Sequence, residues 1–119
     1  MPPFTGGDDV QPRMNLWIEQ DGEVVLSEWR VSLLEAIAET GSISSAASKM
    51  NVPYHRAWDK IQEMERGLDV KLVETQAGGP GGGGAHLTRM GLDYVEKFRR
   101  FQAGFKEQVE RRFKDTFGK

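Results

Sequence analysis

The chain of 119 residues contains no cysteine, which excludes a disulfide scaffold, thiolate metal ligands and a cysteine nucleophile. No apolar run approaches the ~18 residues of a membrane span. Met1–Val10 has neither the basic start nor the apolar stretch of a secretion signal. Histidine is scarce. His55 and His86 stand apart, with no paired nucleophile or metal-ligand spacing, and no carboxylate pair sits in a motif. Enzyme chemistry, a metal site, a cofactor and a membrane partner are therefore not expected. A basic excess is also missing: 16 Lys and Arg face 18 Asp and Glu, for a net charge of −2. That balance argues against a non-specific coat for nucleic acid. What remains, 38% hydrophobic and 29% charged residues, is ordinary for one soluble domain with a real core. The expected setting is the cytoplasm.

The charge is unevenly placed. The first 40 residues hold two basic and eight acidic groups, and the remainder fourteen basic and ten acidic. Such a dipolar layout lets one face meet a polyanion while the total stays slightly negative.

Residues 1–14 carry prolines, glycines and acidic groups and are expected to fray, leaving 15–119 as the folded domain. Leu16–Ile18 and Glu23–Leu26 are β-prone runs around Asp21-Gly22 and read as a hairpin. Ser27 can cap a helix in which Val31, Leu34, Ile37 and Ala38 recur at helical spacing, closed by Thr40-Gly41. Ser42 begins a shorter helix with a narrow face of Ile43, Ala46, Ala47 and Met50. Asn51-Val52-Pro53 is a turn, and a third helix over about Tyr54–Gly67 aligns Ala57, Ile61, Met64 and Leu68. Two β-like runs, Val70–Thr75 and Ala85–Leu87, flank a glycine-rich connector over Gln76–Gly84. Thr88 caps a long last helix, about 88–115, on which Leu92 and Val95 are expected to return to the core.

Three helices with tight turns, followed by a β-hairpin, make a winged helix–turn–helix: mainly α with a small β content, an N-terminal hairpin and a long C-terminal helix. In that arrangement the helix after the turn enters the major groove of duplex DNA, and its first residues reach base edges. Three helices alone also occur in many bundles. The stripe of Phe98, Phe101, Phe105, Val109 and Phe113 is too long for so small a core, and its simplest partner is the same helix of a second copy.

The residues Gly41-Ser42-Ile43-Ser44-Ser45-Ala46-Ala47, Tyr54-His55-Arg56-Ala57-Trp58 and Leu72-Val73-Glu74, with the Gly78–Gly84 loop and Ala85, Leu87, Thr88 and Gly91, resemble the DNA-binding domain of the ModE family. These are molybdate-responsive repressors related to the LysR-type regulators. The resemblance covers about residues 16–113. It implies a bacterial transcriptional regulator, dimeric through the long helix, with recognition helices and wings on a palindromic operator. Two positions depart from the family: Pro53 stands where a capping serine is usual, and Pro80 where the wing usually carries a cation. The molybdate-binding region of the family has no counterpart within these residues, so molybdate binding by this chain is not expected.

The DNA-contact candidates are Tyr54, His55 and Arg56 for base edges or phosphate, Lys60 for phosphate, and Ser42, Ser44 and Ser45 for caps first and phosphate second. Gly81, Gly82 and Gly83 offer a ribbon free of side chains that can approach the sugar–phosphate backbone. A nucleotide-binding loop is rejected because Ala85-His86, not Lys-Ser/Thr, follows the glycines. Trp58 is expected in the core or on a flank, positioning the helix. Arg99, Arg100, Arg111 and Arg112 are expected to solvate the last helix. The alternative reading is a protein-interaction module whose helix–turn–helix is relict and whose aromatic ridge modulates another protein.

Overall fold

Antiparallel strands β1 (Trp17–Gln20) and β2 (Glu23–Ser27) open the fold, joined by Asp21 and Gly22 at φ +53° and +82°. Two left-handed residues give the turn whose twist matches that of the strands. The structure is a computed structural model, and it describes residues 10–79 and 82–118. Val25 and Leu26 turn into the core, and Ser27 leads directly into α1 (Glu28–Thr40), its Oγ accepting from Arg30 N–H. Gly41 ends the helix at φ +81°, its N–H donating to the Ile37 carbonyl. Helix α1 is the centre of the molecule. The other helices, β2 and β4 all touch it, so Val31, Leu33, Leu34, Ala36 and Ile37 are all buried. Leu33 and Ala36 are buried beyond the expected stripe because a helix surrounded by neighbours buries more than one narrow face, whereas Ala38, expected on it, is exposed in the last turn.

Helix α2 (Ile43–Lys49) starts at its cap Ser42 and buries Ile43, Ala46 and Ala47. Ala46 and Ala57 are both wholly buried, small enough to let α2 and α3 (Tyr54–Leu68) cross closely. A Cβ at Gly67 would collide with Val25, so the bare glycine brings α3 against β2. The next strands form the wing. β3 (Val73–Gly79) pairs with β4 (Gly82–Leu87) from Val73↔Leu87 out to Gly79↔Gly82, with an irregularity between Gln76 and Gly79. The wing thus starts later than Val70 and runs through most of the expected connector. The Glu65 carboxylate accepts from Leu72 and Val73 N–H at 2.8 and 3.1 Å, replacing strand pairing at that end.

Thr88 caps α4 (Arg89–Phe117), accepting from Gly91 N–H at 3.0 Å and donating to the Lys71 carbonyl at 2.6 Å. At 1.5 Å per residue its 29 residues run about 43 Å, well past the core. Two expectations for α4 are corrected. Leu92 points to solvent, 56% exposed, while Tyr94 and Val95 pack on the core. Phe98, placed on the dimer stripe, is 2% exposed and closes the core within the single chain, because α4 is still crossing the domain at that turn. Of the segment expected to fray, residues 1–9 lie outside the described residues, and 10–14 continue through 16 as backbone without helix or strand. They line one side of a groove whose other side is Gln102, Lys106, Val109 and Phe113 of α4. Val10, Pro12 and Leu16 are half-buried there, an alternation of apolar residues that anchors the segment.

Gly91 is the tightest helix–loop contact, since a Cβ there would meet the Leu72 carbonyl oxygen. Backbone cannot swing aside as a side chain can. Gly91→Ala should therefore cost about 2 kcal/mol, read as a lower midpoint in thermal unfolding. An unchanged midpoint would mean that α4 can slide without loss.

Candidate nucleic-acid interface

The turn between α2 and α3 sets the surface. Ser42 Oγ accepts from Ser45 N–H at 2.9 Å, so Ser42 is occupied as a cap, while Ser44 and Ser45 are exposed at the same helix start. Pro53 offers no side-chain cap to α3; its carbonyl instead takes the Arg56 and Ala57 N–H groups at 3.1 and 3.3 Å. Tyr54, His55 and Arg56 follow and are all exposed, as a recognition helix requires of its first turn.

Ion pairing separates the cations. Lys60 lies 3.5 Å from Glu63, which also receives Arg30 Nη2 at 2.9 Å. The Arg30 guanidinium, with help from Lys60 and against partial burial, holds the Glu63 carboxyl below the ordinary carboxylate range. Lys49 pairs with Glu39, and Lys71 lies 3.8 Å from Glu65. Arg56 and Arg66 have no ion-pair partner among the described residues. Arg56 and Arg66 are thus open cations of α3, at its start and in its last turn, whereas Lys60 is already engaged.

The wing sits beside this surface because Ala85 N–H donates to the Gly41 carbonyl at 2.8 Å. A Cβ at Gly84 would stand 3.3 Å from that same oxygen, so the glycine allows the approach. Gly82 and Gly83 belong to β4, and Gly81 lies outside the described residues. Across the ladder His86 Nε2 lies 3.2 Å from Glu74. Ser44 and Tyr54 line one shallow hollow beside the turn, and Ser45, His55 and Arg56 are exposed at the starts of α2 and α3. Trp58, expected in the core or on a flank, lies on the flank and is 39% exposed.

A short α2, a tight turn, an exposed start to α3 and a β-hairpin pinned to the α1–α2 junction are now in place. The family model described as "Bacterial regulatory helix-turn-helix protein, lysR family" matches residues 30–92, which hold all of these parts and leave out the first hairpin and most of α4. The chain belongs to that family. Among curated relatives, the molybdenum-pterin-binding protein MopB of Rhodobacter capsulatus is 39% identical over 99 residues, 83% of this chain and 36% of that protein. The DNA-binding transcriptional dual regulator ModE of Escherichia coli K12 is 46% identical over 89 residues, 75% of this chain and 34% of that one. The chain thus spans about a third of the length of these relatives. Among solved structures, the DNA-binding domain of CbnR in complex with DNA matches with a TM-score of 0.57 and 26% identity, over 71% of this chain and 92% of that one.

In this LysR-family chain the helix–turn–helix is tied to α4 by a cluster that sequence reasoning missed. Arg99 grips Glu35 with two bonds, Nε at 3.1 Å and Nη2 at 2.7 Å, donates to Ser32 Oγ at 3.0 Å and Gln102 Oε1 at 2.9 Å, and pairs with Glu28. Gln102 Nε2 in turn donates to Glu28 at 2.7 Å. A signal was available: Glu28, Ser32 and Glu35 share one face of α1, and Arg99 and Gln102 one face of α4. The Glu35 bonds raise the Arg99 pKa, opposed by partial burial and reinforced by Glu28. The Gln102 bond first, and then Arg99, hold the Glu28 carboxyl below its ordinary 4.5 against the effect of burial.

Arg99→Gln should loosen α4 from α1, raising amide exchange in the first half of α4 and costing about 1 kcal/mol for a partly exposed cluster. Because the folded pKa of Glu28 is lowered, its contribution is present above pH 4.5 and lost as pH falls through the folded value. Thermal midpoints should therefore fall less steeply with acid in the variant than in the wild type. Equal slopes and unchanged exchange would show that α4 is held by packing alone.

Proposed function

We propose that this chain is a sequence-specific, DNA-binding transcriptional regulator that acts in the cytoplasm as a homodimer on a palindromic operator. The observation that carries this reading is the exposed first turn of α3, where Arg56 has no ion-pair partner among the described residues and stands with Tyr54 and His55. Ser44 and Ser45 at the start of α2 and the glycines of β4 flank that turn as phosphate-facing groups. The relative from E. coli is described as a DNA-binding transcriptional regulator, and the CbnR domain is a complex with DNA; both support the assignment. The relatives' names tie them to molybdenum, and we assign this regulator to molybdenum-related genes.

The pairing surface is the outer part of α4. Phe101 and Phe105 are 46% and 39% exposed and touch edge to face at 4.9 Å, beyond the point where Phe98 is buried. Val109 and Phe113, expected on the same ridge, are half-buried and line the groove against residues 10–16 of their own chain, so the open part of the ridge is Phe101 and Phe105. Two such ridges packed together bring two recognition helices to one face, and half-sites about one helical turn apart follow from that geometry.

Selection and sequencing of genomic fragments by the purified protein should enrich an inverted repeat; a folded protein that enriches none would move the assignment to a protein partner. On the enriched duplex, Arg56→Ala should weaken binding by about tenfold and flatten the dependence on salt, since each phosphate contact adds about one to the slope. Unchanged affinity and slope would remove Arg56 from the interface. Phe105→Glu should yield monomers in sedimentation velocity, and a dimer that survives would place the pairing elsewhere.

A further inference from the structure

Each of the chain's tryptophans has a different environment. Trp29 packs against the core, and Trp17 donates its Nε1–H to Glu19 Oε2 at 2.7 Å. Trp58 has neither arrangement. Its side chain is 39% exposed, and its Nε1–H has no hydrogen-bond partner among the described residues. It follows Tyr54, itself 51% exposed, by one helical turn, so the two rings form an apolar edge on α3. Ala57, Ile61 and Met64 occupy the buried stripe. Helix α4 packs chiefly on α1 and β4, and its exposed Phe101 and Phe105 lie beyond the core that α3 helps to build.

An indole left open to water on the first turns of a recognition helix gains when something apolar covers it. In the major groove, base edges are donors and acceptors except at one group, the C5 methyl of thymine. Arg56 and His55 supply the polar contacts of this turn, and Trp58 supplies what they lack. We propose that Trp58 is a specificity-determining residue that reads a thymine methyl in the major groove with its indole ring. The proposal rests on the DNA-binding reading above and adds the base that this position selects.

The test uses the whole chain and the duplex enriched by selection, with each thymine replaced in turn by deoxyuridine, which removes only the methyl. The wild type should lose about fourfold in affinity at one thymine per half-site, the equivalent of one buried methyl group. Trp58→Ala should bind the thymine and deoxyuridine duplexes equally at that position. Trp58→Phe, keeping an apolar ring, should retain part of the difference, a pattern that a merely structural role of Trp58 would not produce. Sequence-specific binding by a wild type indifferent to every methyl would overturn this proposal alone, as would full methyl sensitivity in Trp58→Ala. If Trp58→Ala fails to fold, the wild-type thymine scan and Trp58→Phe decide. Failure of the wild type to bind any duplex specifically would overturn the DNA-binding reading and this proposal with it.

Discussion

One peptide unit fixes the relation of the wing to the helix pair. Gly41 ends α1 in the left-handed region, the next residue caps α2, and the Gly41 carbonyl receives the Ala85 N–H of β4 at 2.8 Å. A side chain at φ +81° would cost roughly 1 kcal/mol. The space around it is open, so the left-handed backbone alone sets that cost. Gly84, opposite, is also bare; a Cβ there would press on the same oxygen at 3.3 Å. Helix end, helix start and wing root share a single anchor, so the exposed first turn of α3 and the wing are positioned together.

Net charge says little about such a surface. Three of the eight acidic groups of the first 40 residues are engaged inside the chain: Glu28 and Glu35 with Arg99, and Glu39 with Lys49. Lys60 and Lys71 are likewise engaged by Glu63 and Glu65. The cations in no ion pair among the described residues include Arg56 at the start of α3 and Arg66 at its end. The dipolar layout of the sequence is thus partly a record of ion pairs between distant segments, and only the remainder is available to a polyanion.

Local chemistry was legible in the sequence where it acts locally. Ser27, Ser42, Thr88 and Gly41 cap the helices as their residue types dictate, and Asp21-Gly22 turns the first hairpin. Outcomes that depend on distant packing were not legible. Phe98 and Phe101 belong to the same periodic stripe, yet one is core and the other surface, because the stripe does not say where α4 leaves the domain. Arg99 and Arg100 are neighbours, and only the first faces α1; the other lies 3.8 Å from Glu96 on its own helix. Glycine composition predicted a connector where backbone pairing makes strand, since a ladder needs no side chains once its register is set. For Trp58, sequence left core and flank open together; how much of the ring stays uncovered depends on what packs beside α3, which spacing does not reveal.

The length of α4 explains why its aromatics are divided in this way. A helix gains most of its stability from covering an apolar face, and the domain can cover only the stretch that ends near Phe98. The Arg99–Glu35–Glu28 cluster holds the helix at the border. Beyond it, residues 10–16 lie along the side of Gln102, Val109 and Phe113. That segment leaves Phe101 and Phe105 uncovered, since they lie on the neighbouring flank. One flank of the outer helix is therefore served by the chain's own N-terminal segment and the other is left for a partner, which gives the proposed pairing a defined side of α4. A second copy entering there need not displace residues 10–16, so α4 can pair while the segment stays in place.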